Sequence, residues 1–172
     1  MKFVCSKTIL NNIVNTVQKA IGSKTSHPIL ECIKIEALND GHVIFTANSL
    51  ELCIEYTSEI TVYESGAIAL PSKIFCEIVR RLPEGEVNIS CDERNYITDI
   101  ECDNSKFNIQ GMGVEAFPDV PIVEEEYKTK ISEKELKNII RNVLPFISPM
   151  ETRKPVLTGA LFDFKGDVLT VV

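Results

Sequence analysis

The sequence has no tryptophan, and its histidines are only His27 and His42. Cysteine is present at Cys5, Cys32, Cys53, Cys76, Cys91 and Cys102, always far apart and never as C-x-x-C. That spacing offers neither a zinc knuckle nor a redox dithiol. No stretch approaches the roughly 18–20 apolar residues of a membrane-spanning helix, so no membrane partner is expected. No charged segment followed by an apolar one opens the chain, so a secretory signal is not expected either. The thiols then read as reduced, in a cytoplasmic protein, and Asn88-Ile89-Ser90 carries no weight as a glycosylation site. The phosphate loop G-x-x-x-x-G-K-[ST], the nucleophile elbow G-x-S-x-G and S-x-x-K are all missing. Two histidines and no serine-nucleophile setting leave little for catalysis. No cofactor and no metal is expected.

What the chain does contain is a repeat. Ser6, Leu10, Asn12, Ile13, Val17 and Ile21 recur at constant spacing as Ser132, Leu136, Asn138, Ile139, Val143 and Ile147. Pro28-Ile29-Leu30 is echoed by Pro155-Val156-Leu157, and Gly41-His42-Val43-Ile44 by Gly166-Asp167-Val168-Leu169. A self-similar chain is a module built in series. The last residue, Val172, falls inside an apolar run, which predicts a fragment of a longer array.

Periodicity gives the elements. A short strand (2–5) leads into a helix over 6–20 with an apolar stripe of Ile9, Leu10, Ile13, Val14, Val17 and Ile21. An extended run over 28–37 follows, then a hairpin turn at Asn39-Asp40-Gly41 and a strand over 43–47. Leu50, Leu52, Ile54 and Tyr56 alternate with polar residues, as in a half-buried strand. The pattern then restarts with a strand over 66–70, a helix from Pro71 to Leu82 and strands over 87–91, 96–102 and 106–110. Residues 1–110 thus read as two β-α-β-β-β units, an α+β class. Pro118, Pro121 and the run Glu124-Glu125-Glu126 mark a connector. A third unit is expected from Tyr127: a strand, a helix with the capping box Ser132-x-x-Glu135, a strand over 155–164 and another from Asp167. Residues 1–125 form one expected domain and 126–172 the first, incomplete part of a second.

Gly111-Met112-Gly113-Val114-Glu115-Ala116 fits the dinucleotide fingerprint G-x-G-x-x-A. That fingerprint needs a helix to follow, aimed at the pyrophosphate. Phe117-Pro118-Asp119-Val120-Pro121 follows instead, and its prolines forbid the helix.

The net charge of −7 argues against nucleic acid only if it is evenly spread. The three expected helices hold 8 of the 18 basic residues (Lys7, Lys19, Lys73, Arg80, Arg81, Lys134, Lys137, Arg141) but only 3 of the 25 acidic ones (Glu77, Glu133, Glu135). Lys73 and Arg80 share a stripe, as do Lys134, Lys137 and Arg141. Asn11, Asn12, Asn15 and Gln18 surround the lysines of the first helix. Taken alone, any one of these faces is an ordinary solvated helix face. Their recurrence on every helix of a repeat points to one basic, amide-rich surface able to hold phosphates without reading sequence.

Short segments then follow one another in a specific order. Met1-Lys2-Phe3, His27-Pro28-Ile29-Leu30, Ala47-Asn48-Ser49-Leu50-Glu51, Leu70-Pro71-Ser72-Lys73-Ile74-Phe75 and Arg81-Leu82-Pro83-Glu84-Gly85 occur in turn. Phe117-Pro118-Asp119 and Arg153-Lys154-Pro155-Val156-Leu157-Thr158-Gly159 continue the series. Over its whole length the chain resembles the bacterial DNA polymerase III β subunits, the sliding clamps. The resemblance implies the DNA-clamp fold, with antiparallel sheets outside and helices on the inner face of a ring closed by two protomers. It implies a non-catalytic processivity factor that encircles double-stranded DNA and tethers the replicative polymerase. Polymerase and clamp-loader subunits would bind through short peptide motifs. Residue by residue, it suggests DNA contacts at Lys24 and Lys73, and Arg153 and Lys154 in place of an amide and aromatic pair that this chain lacks around Glu151, Pro155 and Val156. Arg80, Lys137 and Arg141 join them from the helix faces. It also places Ile74, Ile78, Phe107 and Ile109 at the ring interface, with core packing the plainer role for Phe107 and Ile109, and Leu157 in a partner-peptide pocket. A metal-dependent 3′–5′ exonuclease and a scaffold that binds no DNA are the competing readings.

Overall fold

The computed structural model describes residues 1–22, 27–120, 128–148 and 154–172. The chain divides into two compact units, Met1–Ile122 and Val123–Val172.

The first unit interlocks two repeats. The first repeat comprises β1 (Lys2–Ser6), α1 (Lys7–Val17), β2 (Cys32–Ala37), β3 (His42–Asn48) and β4 (Cys53–Glu59). After β5 (Thr61–Glu64) the second repeat runs through β6 (Gly66–Pro71), α2 (Ser72–Arg81), β7 (Glu86–Asp92), β8 (Ile97–Cys102) and β9 (Ser105–Gln110). The repeats exchange their first strands. One sheet has the order β5-β1-β7-β8-β9 and the other β4-β3-β2-β6, all pairs antiparallel. Phe3 of β1 pairs with Ile89 of β7, and Leu70 of β6 with Ile33 of β2.

The sheet margins are joined at both sides. At one margin β4 runs into β5 through buried Ile60, whose N–H donates to the Gly41 carbonyl at 2.9 Å. At the other, Met112, just past β9, exchanges two backbone hydrogen bonds with Ala69 of β6 at 2.9 and 3.0 Å. Gly111 makes that approach possible: a Cβ there would lie 2.8 Å from the Ile68 side chain and 3.0 Å from the Ala69 carbonyl. The first glycine of the rejected fingerprint therefore serves a close backbone contact, and no helix follows it. Phe117 is buried beyond this point, with the Lys34 ammonium 5.5 Å above its ring.

A single core results. Phe3 of one sheet meets Phe45 of the other edge-to-face at 6.2 Å, and Phe75 of α2, Leu10 and Ile13 of α1, Ile35, Ile68 and Ile100 are fully buried around them. Burial of each such side chain contributes roughly 1.5–3 kcal/mol. On α1 the buried stripe is Leu10, Ile13, Val14 and Val17, while Ile9 lies at its exposed margin.

The second unit contains α3 (Glu133–Val143) and the hairpin β10 (Phe162–Lys165) and β11 (Val168–Val171). It follows the repeat closely. Ser6 and Ser132 both cap their helices, each accepting from the backbone N–H three residues on, and Glu135 completes the expected capping box. A 3-10 turn follows each helix (Gln18–Ala20 and Leu144–Phe146), and another begins at each proline (Pro28–Glu31 and Pro155–Thr158). Gly41 and Gly166 both take positive φ in their hairpin turns.

Three readings of the pattern are corrected. Proline turns the chain into 3-10 helix at Pro28–Glu31 and Pro155–Thr158, where extended strand was expected. Leu50 and Leu52 are exposed in a tight turn, because the Asn48 side chain accepts the Leu50 N–H at 2.7 Å with Leu50 at φ 72°. Residues 128–132 are not a strand, and Tyr127 lies outside the described residues. Strand β5 was not anticipated.

Five cysteines are buried and Cys53 is half-buried. Burial pushes the Cys5 thiol up to about 12, and burial with the Glu31 charge pushes Cys32 to about 11. Thiolate formation is the reactive step, so these groups are inert while folded. A thiol reagent added at neutral pH is expected to label Cys53 first and the others only on unfolding. Cys53→Ser should remove the early phase, as mass spectrometry of the labelled chain would show.

Candidate functional site

Strand exchange sets α1 and α2 side by side. On α2 the buried positions Ser72, Phe75, Cys76 and Val79 face the core, which leaves Lys73, Glu77, Arg80 and Arg81 to solvent. Lys73, Glu77 and Arg80 fall at i, i+4 and i+7 on one stripe. Arg81 takes the acid of that stripe, its guanidinium 2.5 Å from Glu77. Lys73 makes no ion pair among the described residues. Arg80 reaches across to the C-terminal end of α1, donating to Oε1 of Gln18, the residue that caps it, at 3.0 Å and to Asn15 Oδ1 at 3.3 Å. Gln18 Nε2 donates to the same Asn15 oxygen at 3.0 Å. These partners are neutral, so the helix pair keeps two uncompensated positive charges. A recess of about 420 Å³ beside them is lined by Gln18, Lys73, Cys76, Glu77, Arg80 and Arg81. The last-turn position of Arg80 and Arg81 also suits the negative end of the α2 dipole.

Lys7 does not belong to this set. Its ammonium donates to Glu84 Oε1 at 2.6 Å, Thr8 Oγ1 donates to Glu84 Oε2 at 3.1 Å, and the Lys7 N–H donates to the Gly85 carbonyl at 2.9 Å. The Arg81-Leu82-Pro83-Glu84-Gly85 segment thus fastens the α2–β7 junction to the start of α1. Lys19 is exposed on the 3-10 turn after α1.

Lys24, Arg153 and Glu151 lie outside the described residues. Lys134, Lys137 and Arg141 are exposed on α3, and Lys154, Pro155, Val156 and Leu157 are exposed at the start of the 3-10 turn, with Leu157 53% exposed. On the first unit, Ile74 is 54% and Phe107 38% exposed, Ile78 packs partly against the core, and Ile109 at 4% belongs to it. Helix α2 packs beside β9, so the two elements carrying these residues are neighbours. Sequence reasoning noted Asn15 and Gln18 as amides near the lysines but missed their bond to Arg80. Their i, i+3 spacing was the available sign, yet nothing local tells which element a polar pair will meet.

No group of three or more potential metal ligands gathers among the described residues, and no helix there is long and apolar enough to cross a membrane. The arrangement is suited to holding anions loosely, with two cations on a polar, open face.

Comparison with known proteins shows the family and the fold. The family described as DNA polymerase III beta subunit, N-terminal domain, matches residues 1–121. The beta sliding clamp of Halalkalibacterium halodurans is 36% identical over 178 residues, covering 99% of this chain and 46% of the relative. That of Chlamydia muridarum is 31% identical, covering 100% of this chain and 46% of the relative. The crystal structure of the Bacillus subtilis DNA polymerase sliding clamp superposes with a TM-score of 0.91 at 35% identity, covering 99% of this chain and 46% of that one. The architecture is the clamp fold, and the chain spans about half the length of the relatives it matches.

Glu84 gives a pH test of the α1 anchor. Hydrogen bonds from Lys7 and Thr8, with the Lys7 charge, hold its carboxyl below the ordinary 4.5. A carboxyl lowered on folding contributes stability that is present above its unfolded value and lost as pH falls through the folded one. Glu84→Gln should therefore be less stable than the parent at neutral pH. The gap should close on acidification below the ordinary carboxylate range, as followed by urea unfolding at a series of pH values.

Proposed function

We propose that the α1–α2 face lies against duplex DNA, and the premise is plain: the chain belongs to the DNA polymerase III beta subunit family. In this reading residues 1–125 are the first domain of a sliding clamp and 126–172 the start of the second. The full-length protein closes as a homodimeric ring around DNA in the cytoplasm and tethers the polymerase without chemistry of its own. The observation that carries the reading is the charge state of the helix pair. Lys73 and Arg80 stay uncompensated on a chain whose net charge is −7, while Glu77 is neutralised by Arg81 and Glu84 by Lys7.

Lys73 and Arg80, with Lys24, Lys137, Arg141, Arg153 and Lys154, are the proposed phosphate contacts. Such contacts are electrostatic, blind to sequence and weakened by salt. A surface of this kind attracts the duplex yet lets it move. The acidic residues exposed on the strands, among them Glu55, Glu59 and Glu86, disfavour DNA on the sheet side. Ile74, Ile78 and Phe107 are the proposed contact with the other protomer, with Ile109 supporting Phe107 from the core. Leu157 is a proposed wall of the pocket for partner peptides of the polymerase and clamp loader.

Reversing Lys24 and Lys73 to Glu in the full-length protein should shorten its retention on circular DNA several-fold while leaving its melting temperature in place. Retention equal to the parent in a gel-filtration assay would overturn the lining. Phe107→Asp should shift the full-length ring toward protomers in sedimentation velocity, and an undisturbed ring at micromolar concentration would remove Phe107 from the interface.

A further inference from the structure

The geometry points to Asn15 and Gln18 as positioning residues that hold Arg80 ready for a backbone phosphate, an inference that rests on the α1–α2 face being turned to the duplex. A guanidinium carries five N–H donors in a fixed fork. One terminal nitrogen of Arg80 serves both Gln18 Oε1 at 3.0 Å and Asn15 Oδ1 at 3.3 Å. The Gln18 amide nitrogen in turn donates to Asn15 Oδ1 at 3.0 Å, which fixes the orientation of both amides. The other two Arg80 nitrogens have no partner among the described residues. They keep three donors, two of them on the other terminal nitrogen.

The chemistry of the acceptors is the central point. Carboxylates at positions 15 and 18 would hold Arg80 equally well but cancel its charge. Amides fix the side chain and leave the charge whole. The acid nearest on the α2 stripe, Glu77, is already bound by Arg81. A guanidinium fixed in this way matches a phosphate in bidentate fashion. Lys73 lies two turns away on the same stripe, about 10 Å along the helix axis. The two cations therefore address separate phosphates, one through a preset fork and one through a mobile ammonium. Arg80 thus works through the Asn15 and Gln18 amides as well as through its own charge.

The test uses the full-length ring and a short fluorescent duplex, with affinity measured by anisotropy over a range of salt concentrations. Arg80→Gln should reduce the slope of log affinity against log salt by about 0.9, the loss of one phosphate contact. The double variant Asn15→Ala/Gln18→Met leaves net charge unchanged, yet should lose most of the same slope. Adding Arg80→Gln to it should cost nothing further, since both changes remove one contact. Gln18→Asn, a shorter amide, should retain part of the effect and guards against a double variant that melts early. A wild-type slope in the double variant, with the slope lowered in Arg80→Gln, would overturn the positioning role and leave the duplex-facing surface standing. Wild-type slopes in both Arg80→Gln and Lys73→Gln would instead overturn the surface itself.

Discussion

The exchange of first strands between the two repeats is the constraint from which the rest of the first unit follows. Strand β1 has no partner in its own repeat. It lies between β5 and β7, so the start of the chain is ordered only when residues 86–92 are in place. Strand β6 depends in the same way on β2. Each repeat thus supplies a strand to the other's sheet, and one core forms in place of two. The helices inherit this arrangement. Helix α1 leaves β1 of one sheet, and α2 leaves β6 of the other, so the exchange brings them together. The proposed face is not a local product of either helix. It exists because the sheets are interleaved.

Electrostatics then acts on that frame. Surface ion pairs contribute little to stability, about 0–1 kcal/mol in the general case. Their larger effect here is on which charges remain available. Lys7 and Arg81 are occupied by Glu84 and Glu77, and Lys106 by Glu101. On α2 this leaves Lys73 and Arg80. An arginine carries about 2 kcal/mol of rotamer entropy, much of it lost when the fork is held still. The Asn15 and Gln18 contacts meet that cost in the folded protein, before any ligand arrives. A lysine at position 73 keeps its freedom and gains less from each encounter. Together they suit a surface that attracts phosphates without gripping them.

Much of this was legible in the sequence where the governing physics is local. Ser6 and Ser132 start helices because a side-chain oxygen can accept an orphan N–H. Asn39-Asp40-Gly41 turns a hairpin because Gly41 accepts φ 85°. The stripe of Leu10, Ile13, Val14 and Val17 faces the core because its period is helical. Strand β5 was hidden because β4 and β5 form one continuous extended run, broken only where Ile60 turns inward. Leu50 and Leu52 matched a strand period, but Asn48 closes a turn around them, and a side-chain hydrogen bond overrides an alternation of two residues. At the site, Lys73 and Arg80 could be named from spacing. The capture of Lys7 by Glu84, 77 residues away, could not. Neither could the choice of Arg81 as the partner of Glu77, since Lys73 and Arg80 lie at comparable helical spacings.

The second unit separates what a helix specifies from what its surroundings supply. Helix α3 repeats the apolar pattern of α1, with Leu136, Ile139 and Val143 standing where Leu10, Ile13 and Val17 stand. Its capping is more complete, with Glu135 reaching back to the Ser132 backbone as well as accepting its hydroxyl. Yet none of its residues is buried, whereas four of α1 are. Beside it a recess of about 680 Å³ is lined by Leu136, Ile139, Phe162 and Leu169, whereas Leu10 and Ile13, the counterparts of Leu136 and Ile139, are buried in the core of the first unit. The difference cannot lie in the helix, because pattern, cap and following 3-10 turn are shared. It lies in the sheets: α1 rests on β1, β3 and β4, strands drawn from both interleaved sheets, and among the described residues of its unit α3 has the β10–β11 hairpin alone. Amphipathic period and capping are enough to start a helix in place. Burial of its apolar face, and with it the rigidity that lets amides such as Asn15 and Gln18 hold a cation, requires the exchanged strands.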